Sequence, residues 1–264
     1  MRKFLIAGNW KMNLTGAESS RLARELAAQL PAGCPAETAI IPSLVHLQAV
    51  RREIADTPIK LGAQNVYWEK KGAFTGEVSA AMLKEIGVAF VLVGHSERRH
   101  IIGETDALLN KKTCAVIDEG LTVILCVGER LEERQGNQTM EVIGRQINAS
   151  LAGVAPQAVA KEQVVIAYEP VWAIGTGLTA TPRQAQEVHA FIRARLGELY
   201  GLQAAATIRI QYGGSVKKTN AAELLSQPDI DGLLVGGASL AADEFIGIVQ
   251  AARTAKTDRA VAIG

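Results

Sequence analysis

The sequence predicts an α/β fold in one domain, a closed (β/α)8 barrel with eight parallel strands and outer helices over residues 1–264. Three observations predict it. Apolar runs of strand length, rich in Val, Ile and Leu and without strict alternation, recur eight times, as strands covered on both faces do. Segments with helical spacing separate them. The chain of 264 residues thus holds eight strand–helix units. That number in that length favours the closed barrel over the open doubly wound sheet, which the same alternation also allows.

The first run, FLIAGNW from Phe4, ends on Asn9, with Lys11 just beyond, and the helical SSRLARELAAQL follows. The second and third runs are TAIIP from Thr38 and IKLGAQ from Ile59. The next connection, NVYWEKKGAFTGEVSA (residues 65–80), is long for a strand–helix turn, and long ordered loops usually have a function. Its Val66, Tyr67, Trp68 and Phe74 are expected at the surface, where clustered apolar side chains suggest an interface. The fourth run, AFVLVGH from Ala89, ends on His95, Ser96 and Glu97, and Ser96 is expected to cap the following helix. TDALLNKKTCAVIDEG is helical, and LTVILCVG from Leu121 is the fifth run. The sixth, VVIAYEP from Val164, ends on Glu169. Thr181 and Pro182 then open a helix as cap and first-turn proline, and Gly201 closes it. The seventh run, ATIRIQYGG from Ala206, and the eighth, IDGLLVGG from Ile230, each end in a glycine pair. The stretch after Arg253 has weak periodicity and is expected to fray.

Composition excludes several function classes. With 48% hydrophobic and 21% charged residues and a net charge of +1, the chain has a sizeable core and no field that would draw nucleic acid. No apolar run reaches the ~18 residues of a membrane span. The start, MRKFLIAGNW, lacks the small-residue cleavage site of a secretory leader. Cys34, Cys114 and Cys126 are widely spaced, as expected in a reducing cytoplasm. His46, His95, His100 and His189 show no metal-ligand spacing, so no metal is expected.

In a barrel the carboxyl ends of the strands face the active site. Lys11, His95 and Glu169 therefore converge on one face, with the Gly213-Gly214 and Gly236-Gly237 turns at neighbouring strands. Such turns let backbone N–H groups approach a phosphate, although each also serves as a plain tight turn. Glu169 has the position of a general base strengthened by exclusion of water, or of a half-buried ion-pair partner. His95, at a turn into a helix, is either a polarising group kept neutral by N–H dipoles or a satisfied core histidine. Lys11 is either an inward cation for an anionic substrate or solvated surface charge. Ser96 lies in GHSER, which is not a nucleophile elbow. Beyond Glu169, Pro170, Val171, Trp172, Ala173, Ile174, Gly175, Thr176 and Gly177 read as a lid. Pro170 stiffens its entry, Gly175 and Gly177 give its exit dihedral freedom, and Ile174 is placed to cover the carboxylate. On closure, the Gly175 N–H reaches the phosphate.

The chain resembles the triosephosphate isomerase family over nearly its whole length. The resemblance rests on AGNWKMN, GAQNVYWEKKGAFTGEVSA, VGHSERR, GETD, CVGERLEERQG, AYEPVWAIGTG, QYGGSVKKTN and DGLLVGGASL, in family order. IIPSLVHL departs from the usual Pro-Pro-Phe, and Ile102 stands where an aromatic is common. The resemblance implies interconversion of dihydroxyacetone phosphate and D-glyceraldehyde 3-phosphate without cofactor or metal. Glu169 then matches the base, His95 the neutral electrophile and Lys11 the cation, with Asn9 positioning it. Gly175, Ser215, Gly236 and Gly237 match the phosphate-binding backbone, and Glu97 and Ser96 match supporting positions. The resemblance also implies a homodimer through loop 65–80, with Thr75 at its tip beside Phe74. Two alternatives carry a different function: a barrel that only binds a phosphorylated ligand or a protein partner, and another phosphosugar enzyme such as a cyclising synthase.

Overall fold

The computed structural model describes residues 2–30, 33–34, 36–174 and 179–263, side chains beyond Ala255 excepted. Eight strands form in chain order: β1 Leu5–Asn9, β2 Glu37–Ile41, β3 Lys60–Ala63, β4 Val88–Val93, β5 Thr122–Val127, β6 Val164–Tyr168, β7 Arg209–Tyr212 and β8 Gly232–Val235. Each pairs in parallel with the next, and β8 returns to β1, closing the barrel. At that seam Leu5 lies opposite Gly232. A Cβ at Gly232 would collide with the Leu5 carbonyl, so glycine permits the closure.

Strand periodicity sorts the side chains into two cores. Leu5, Ala7, Phe90, Leu92, Val165 and Ala167 fill the barrel interior. Their neighbours Phe4, Ile6, Val91, Val93, Val164 and Ile166 pack outward against the helices. Both faces of each strand are therefore apolar, which is why the sequence shows continuous runs rather than alternation. The same period carries function. Continuing the inward series Leu5, Ala7 by one step reaches Asn9, and continuing Val165, Ala167 reaches Glu169, so both side chains face the barrel mouth.

The Pro182–Tyr200 helix begins with Thr181 accepting the Gln184 N–H while Gln184 accepts the Thr181 N–H, a reciprocal cap. It stops at Gly201, whose φ of 85° suits glycine. The last helix, Ala242–Ile263, runs through the stretch whose weak periodicity suggested fraying. Its backbone there is helical despite carrying no clear apolar stripe. Among the described residues no helix is long and apolar enough to cross a membrane.

Three surface expectations need correction. Val66 is buried, and Tyr67 and Trp68 are half-buried. Val66 packs into the core outside the barrel, while for the rings the reason is local: the Tyr67 N–H donates to the Val78 carbonyl, and the Tyr67 ring packs on Trp68 and Phe74 at 3.9 and 4.7 Å. Phe74 and Thr75 do remain exposed at the tip.

Candidate active site

A cavity of about 530 Å³ opens at the carboxyl ends of the strands. Asn9, Lys11, His95, Glu169, Ile174, Ser215, Gly236 and Gly237 all line it. The structure therefore gathers most of the residues expected from the sequence. Gly175, Thr176 and Gly177 lie outside the described residues.

Lys11 stands at a strained position. Its φ of 51° is left-handed, which is unfavourable by about 1 kcal/mol for a residue with a Cβ. Its surroundings hold it there. The Lys11 N–H donates to Asn9 Oδ1 at 3.0 Å, and the Lys11 carbonyl accepts from Gln64 Nε2 at 2.7 Å and Ser43 Oγ at 3.0 Å. The ammonium then reaches Glu97 Oε1 at 2.6 Å. Nothing in the spacing of Gln64 or Ser43 marked them as supports.

His95 caps the short Ser96–His100 helix: its Nδ1 accepts the Glu97 N–H at 3.3 Å. This corrects the expectation for Ser96, which is the first helical residue and not the cap. The Ser96 backbone N–H instead donates to Glu169 Oε2 at 2.9 Å. Glu169 Oε1 lies 3.0 Å from His95 Nε2. Because Nδ1 receives an N–H, the ring proton sits on Nε2 and points at the carboxylate.

Glu169 is 2% exposed. Burial alone pushes its pKa up, as the sequence suggested. His95, the Ser96 N–H and Lys11 outweigh burial, so the carboxyl is held below its ordinary value. For His95, burial favours the neutral ring, and the Glu169 charge and hydrogen bond overcome this to raise its pKa. The two shifts describe one pair, in which each partner stabilises the other's charge.

Sequence reasoning missed Glu129, which is fully buried just past β5. Its Oε1 accepts from Tyr168 Oη at 3.1 Å, Trp172 Nε1 at 2.9 Å and Arg134 at 3.3 Å. Its carbonyl accepts the Val171 N–H at 3.1 Å. Glu129 therefore ties down the first part of the segment read as a lid. The question asked of the other strands, which polar residue ends the run, would have found it in CVGE.

At the other end of the cavity glycines expose the backbone, with Lys217 and Glu244 beside them. A Cβ at Gly213 would sit 3.0 Å from Glu169 Cγ, and one at Gly214 would collide with Tyr212. A Cβ at Gly237 meets nothing within 4 Å, so that glycine leaves space in the cavity. Residues Gly237–Leu240 form a single helical turn that starts at this wall.

A second cavity of about 580 Å³ adjoins the first, sharing Asn9, Lys11 and His95. Its rim carries Met12, Val45, Ile101 and Ile102, which are 94%, 84%, 81% and 61% exposed.

Fold and cavity together define a (β/α)8 barrel protein with a carboxylate, an imidazole and an ammonium group at one strand mouth. Comparison with known proteins makes this specific. A family model for triosephosphate isomerase matches residues 4–252. A triosephosphate isomerase of Rhodopirellula baltica is 51% identical over 96% of this chain and 99% of its own length. One from Chloroflexus aurantiacus is 53% identical over 94% and 99%, and one from Chlorobium phaeovibrioides 52% over 96% and 100%. The chain belongs to the triosephosphate isomerase family.

Proposed function

We infer that this chain interconverts dihydroxyacetone phosphate and D-glyceraldehyde 3-phosphate through an enediolate, in glycolysis and gluconeogenesis. The observation that carries the reading is the Glu169–His95 contact, set in one cavity with Lys11 and the glycine turns. Proton transfer beside a carbonyl needs a base, an oxyanion stabiliser and a grip on the substrate. Glu169 takes the proton from the carbon beside the carbonyl and returns it to the neighbouring carbon. The His95 Nε2–H stabilises and then protonates the old carbonyl oxygen, and Nε2 regains a proton from the neighbouring hydroxyl, whose oxygen becomes the new carbonyl. Lys11 faces that charge, and Asn9 fixes Lys11.

The phosphate sits at Ser215, Gly236 and Gly237, where N–H groups bind it and no side chain obstructs. No metal or cofactor enters this sequence of steps. A substrate oxygen that replaces the carboxylate at His95 Nε2 takes away the Glu169 hydrogen bond, one of the causes of the raised histidine pKa, while burial continues to favour the neutral ring. Leaving His95 and the Ser96 N–H likewise makes Glu169 a stronger base. The lid reading, 170–177, places Ile174 over the carboxylate and the Gly175 N–H on the phosphate, excluding water from the enediolate.

The same reading includes a homodimer in a cytoplasmic setting. Support for it comes from the exposed tip at Phe74 and Thr75 and from the cavity rimmed by exposed Met12, Val45, Ile101 and Ile102. A two-fold dimer lets each loop 65–80 enter its partner's recess, beside Lys11 and His95. The unpaired Cys34, Cys114 and Cys126 fit a reducing compartment.

A coupled assay of both triose phosphates tests the activity. Turnover in each direction is expected, and a folded protein that binds either substrate without converting it overturns the reading. Light scattering at micromolar concentration tests the assembly. A dimer is expected, and an active monomer refutes the interlocking loops.

A further inference from the structure

The phosphate end of the cavity contains charges that the proton transfer does not use. Beside Gly236 and Gly237 its wall includes Lys217 and Glu244. Glu244 lies in the first turn of the Ala242–Ile263 helix. A carboxylate on that wall repels a phosphate dianion. In this chain it is held from behind: Glu244 Oε1 is 2.8 Å from Lys218 Nζ, and Asp243 lies 4.0 Å from the same nitrogen. The helix makes room for this lysine. A Cβ at Gly247 would stand 3.1 Å from Lys218 Cβ and 3.4 Å from its Cδ. Glycine inside a helix is unfavourable, but here it lets the Lys218 stem lie along the helix and deliver its ammonium to Glu244.

We propose that Lys218 is a positioning residue for substrate affinity, neutralising and orienting Glu244 so that the phosphate end of the cavity stays attractive to a dianion. This rests on the placement of the substrate phosphate at Ser215, Gly236 and Gly237. An exposed ion pair contributes little to folding stability. Its effect on a bound dianion is different, because loss of Lys218 changes the local charge by one unit and frees the carboxylate to turn toward Gly237. The substrate's aldehyde or ketone end is remote from this pair, so KM moves and kcat does not.

The test uses the full-length protein and five variants: Lys218→Met, Lys218→Arg, Glu244→Gln, Lys218→Met with Glu244→Gln, and Gly237→Val. Lys218→Met is expected to raise KM roughly fivefold at low ionic strength, the factor for one unit charge about 8 Å from a dianion in water. Inhibition by inorganic phosphate weakens by the same factor, and both effects shrink as salt screens the charge. Lys218→Arg stays near the parent. The double variant recovers the parental KM, which a purely structural role for Lys218 would not produce. Gly237→Val fills the phosphate space and serves as the control on placement. If it leaves KM and phosphate inhibition unchanged, the phosphate does not bind there and the inference falls with that placement. If Gly237→Val raises both while Lys218→Met raises neither, or if Glu244→Gln fails to rescue, the role of Lys218 alone is refuted.

Discussion

The two ends of the cavity are made of different material. At β4 and β6 the wall is side chains: His95 and Glu169, buried and joined to each other at 3.0 Å. At β7 and β8 it is main chain, exposed by glycines where a Cβ would collide or fill the space. The first end acts through ionisation, so each group's behaviour depends on its partner. In the proposed reaction the second acts through shape and N–H dipoles, with the Glu244–Lys218 ion pair beside them. Rate should therefore be sensitive at one end and affinity at the other.

The largest effect expected from separating them is at Glu169. Glu169→Gln preserves volume and removes the proposed base. It should lower kcat by about 10²- to 10⁴-fold, the range for a general base, with KM little changed because the glycine end is intact. Steady-state kinetics on a variant shown to be folded by circular dichroism decides this. A large rise in KM with normal kcat would mean that the two ends do not divide the work in this way.

Lys11 blurs the comparison, because it borders both ends. Lys11→Met should raise KM and lower kcat together, the latter by about 10²-fold, since in the proposed reaction the ammonium meets the phosphate and the growing oxyanion. An unchanged KM and kcat at low salt would remove it from the mechanism.

How much of this was legible follows from the same division. All eight strands could be read because burial on both faces writes an unbroken apolar run. His95, Glu169, Asn9 and Lys11 could be read as polar residues ending such runs, and the glycine pairs as anomalies at strand ends. What could not be read is cooperative. The lowered Glu169 pKa needs His95, Ser96 and Lys11 in place together, and burial alone gives the opposite sign. The supports Gln64 and Ser43 come from two other strand ends. The cap at Ser96 was misassigned because serine is a commoner cap than histidine, and propensity does not know which side chain the turn aims at an N–H. Val66 looked exposed because its place in the core outside the barrel is a tertiary fact.

The smallest expected effect on activity, and a sharp test of what joins the two ends, is at His189. It lies on the Pro182–Tyr200 helix, fully buried behind β6 and β7. Its ring meets Tyr168 edge-on at 5.6 Å and Tyr212 at 6.3 Å, the residues that precede Glu169 and Gly213. Nδ1 lies 2.7 Å from the Ala185 carbonyl and so carries the proton of a neutral ring. Burial lowers the histidine pKa from 6.5 to about 4, despite opposing contributions from the Ala185 carbonyl, Asp231 and Asp229. The sign follows from linkage. Between pH 6.5 and about 4 the unfolded chain binds a proton that the folded chain refuses. Stability is therefore full above 6.5 and falls with pH, by about 3 kcal/mol once the folded pKa is passed. His189→Gln should be less stable than the parent at pH 8, by about 1 kcal/mol of lost packing. It should also lose about 2 kcal/mol less on going to pH 5, so the two stability curves cross, with the variant the more stable at pH 5. Urea melts at both pH values measure this, with kcat at pH 8 expected to stay within about twofold, because the residue touches no substrate atom. Parallel curves for parent and variant would show that His189 does not titrate in this window, and the acid sensitivity would belong to the paired carboxylates instead.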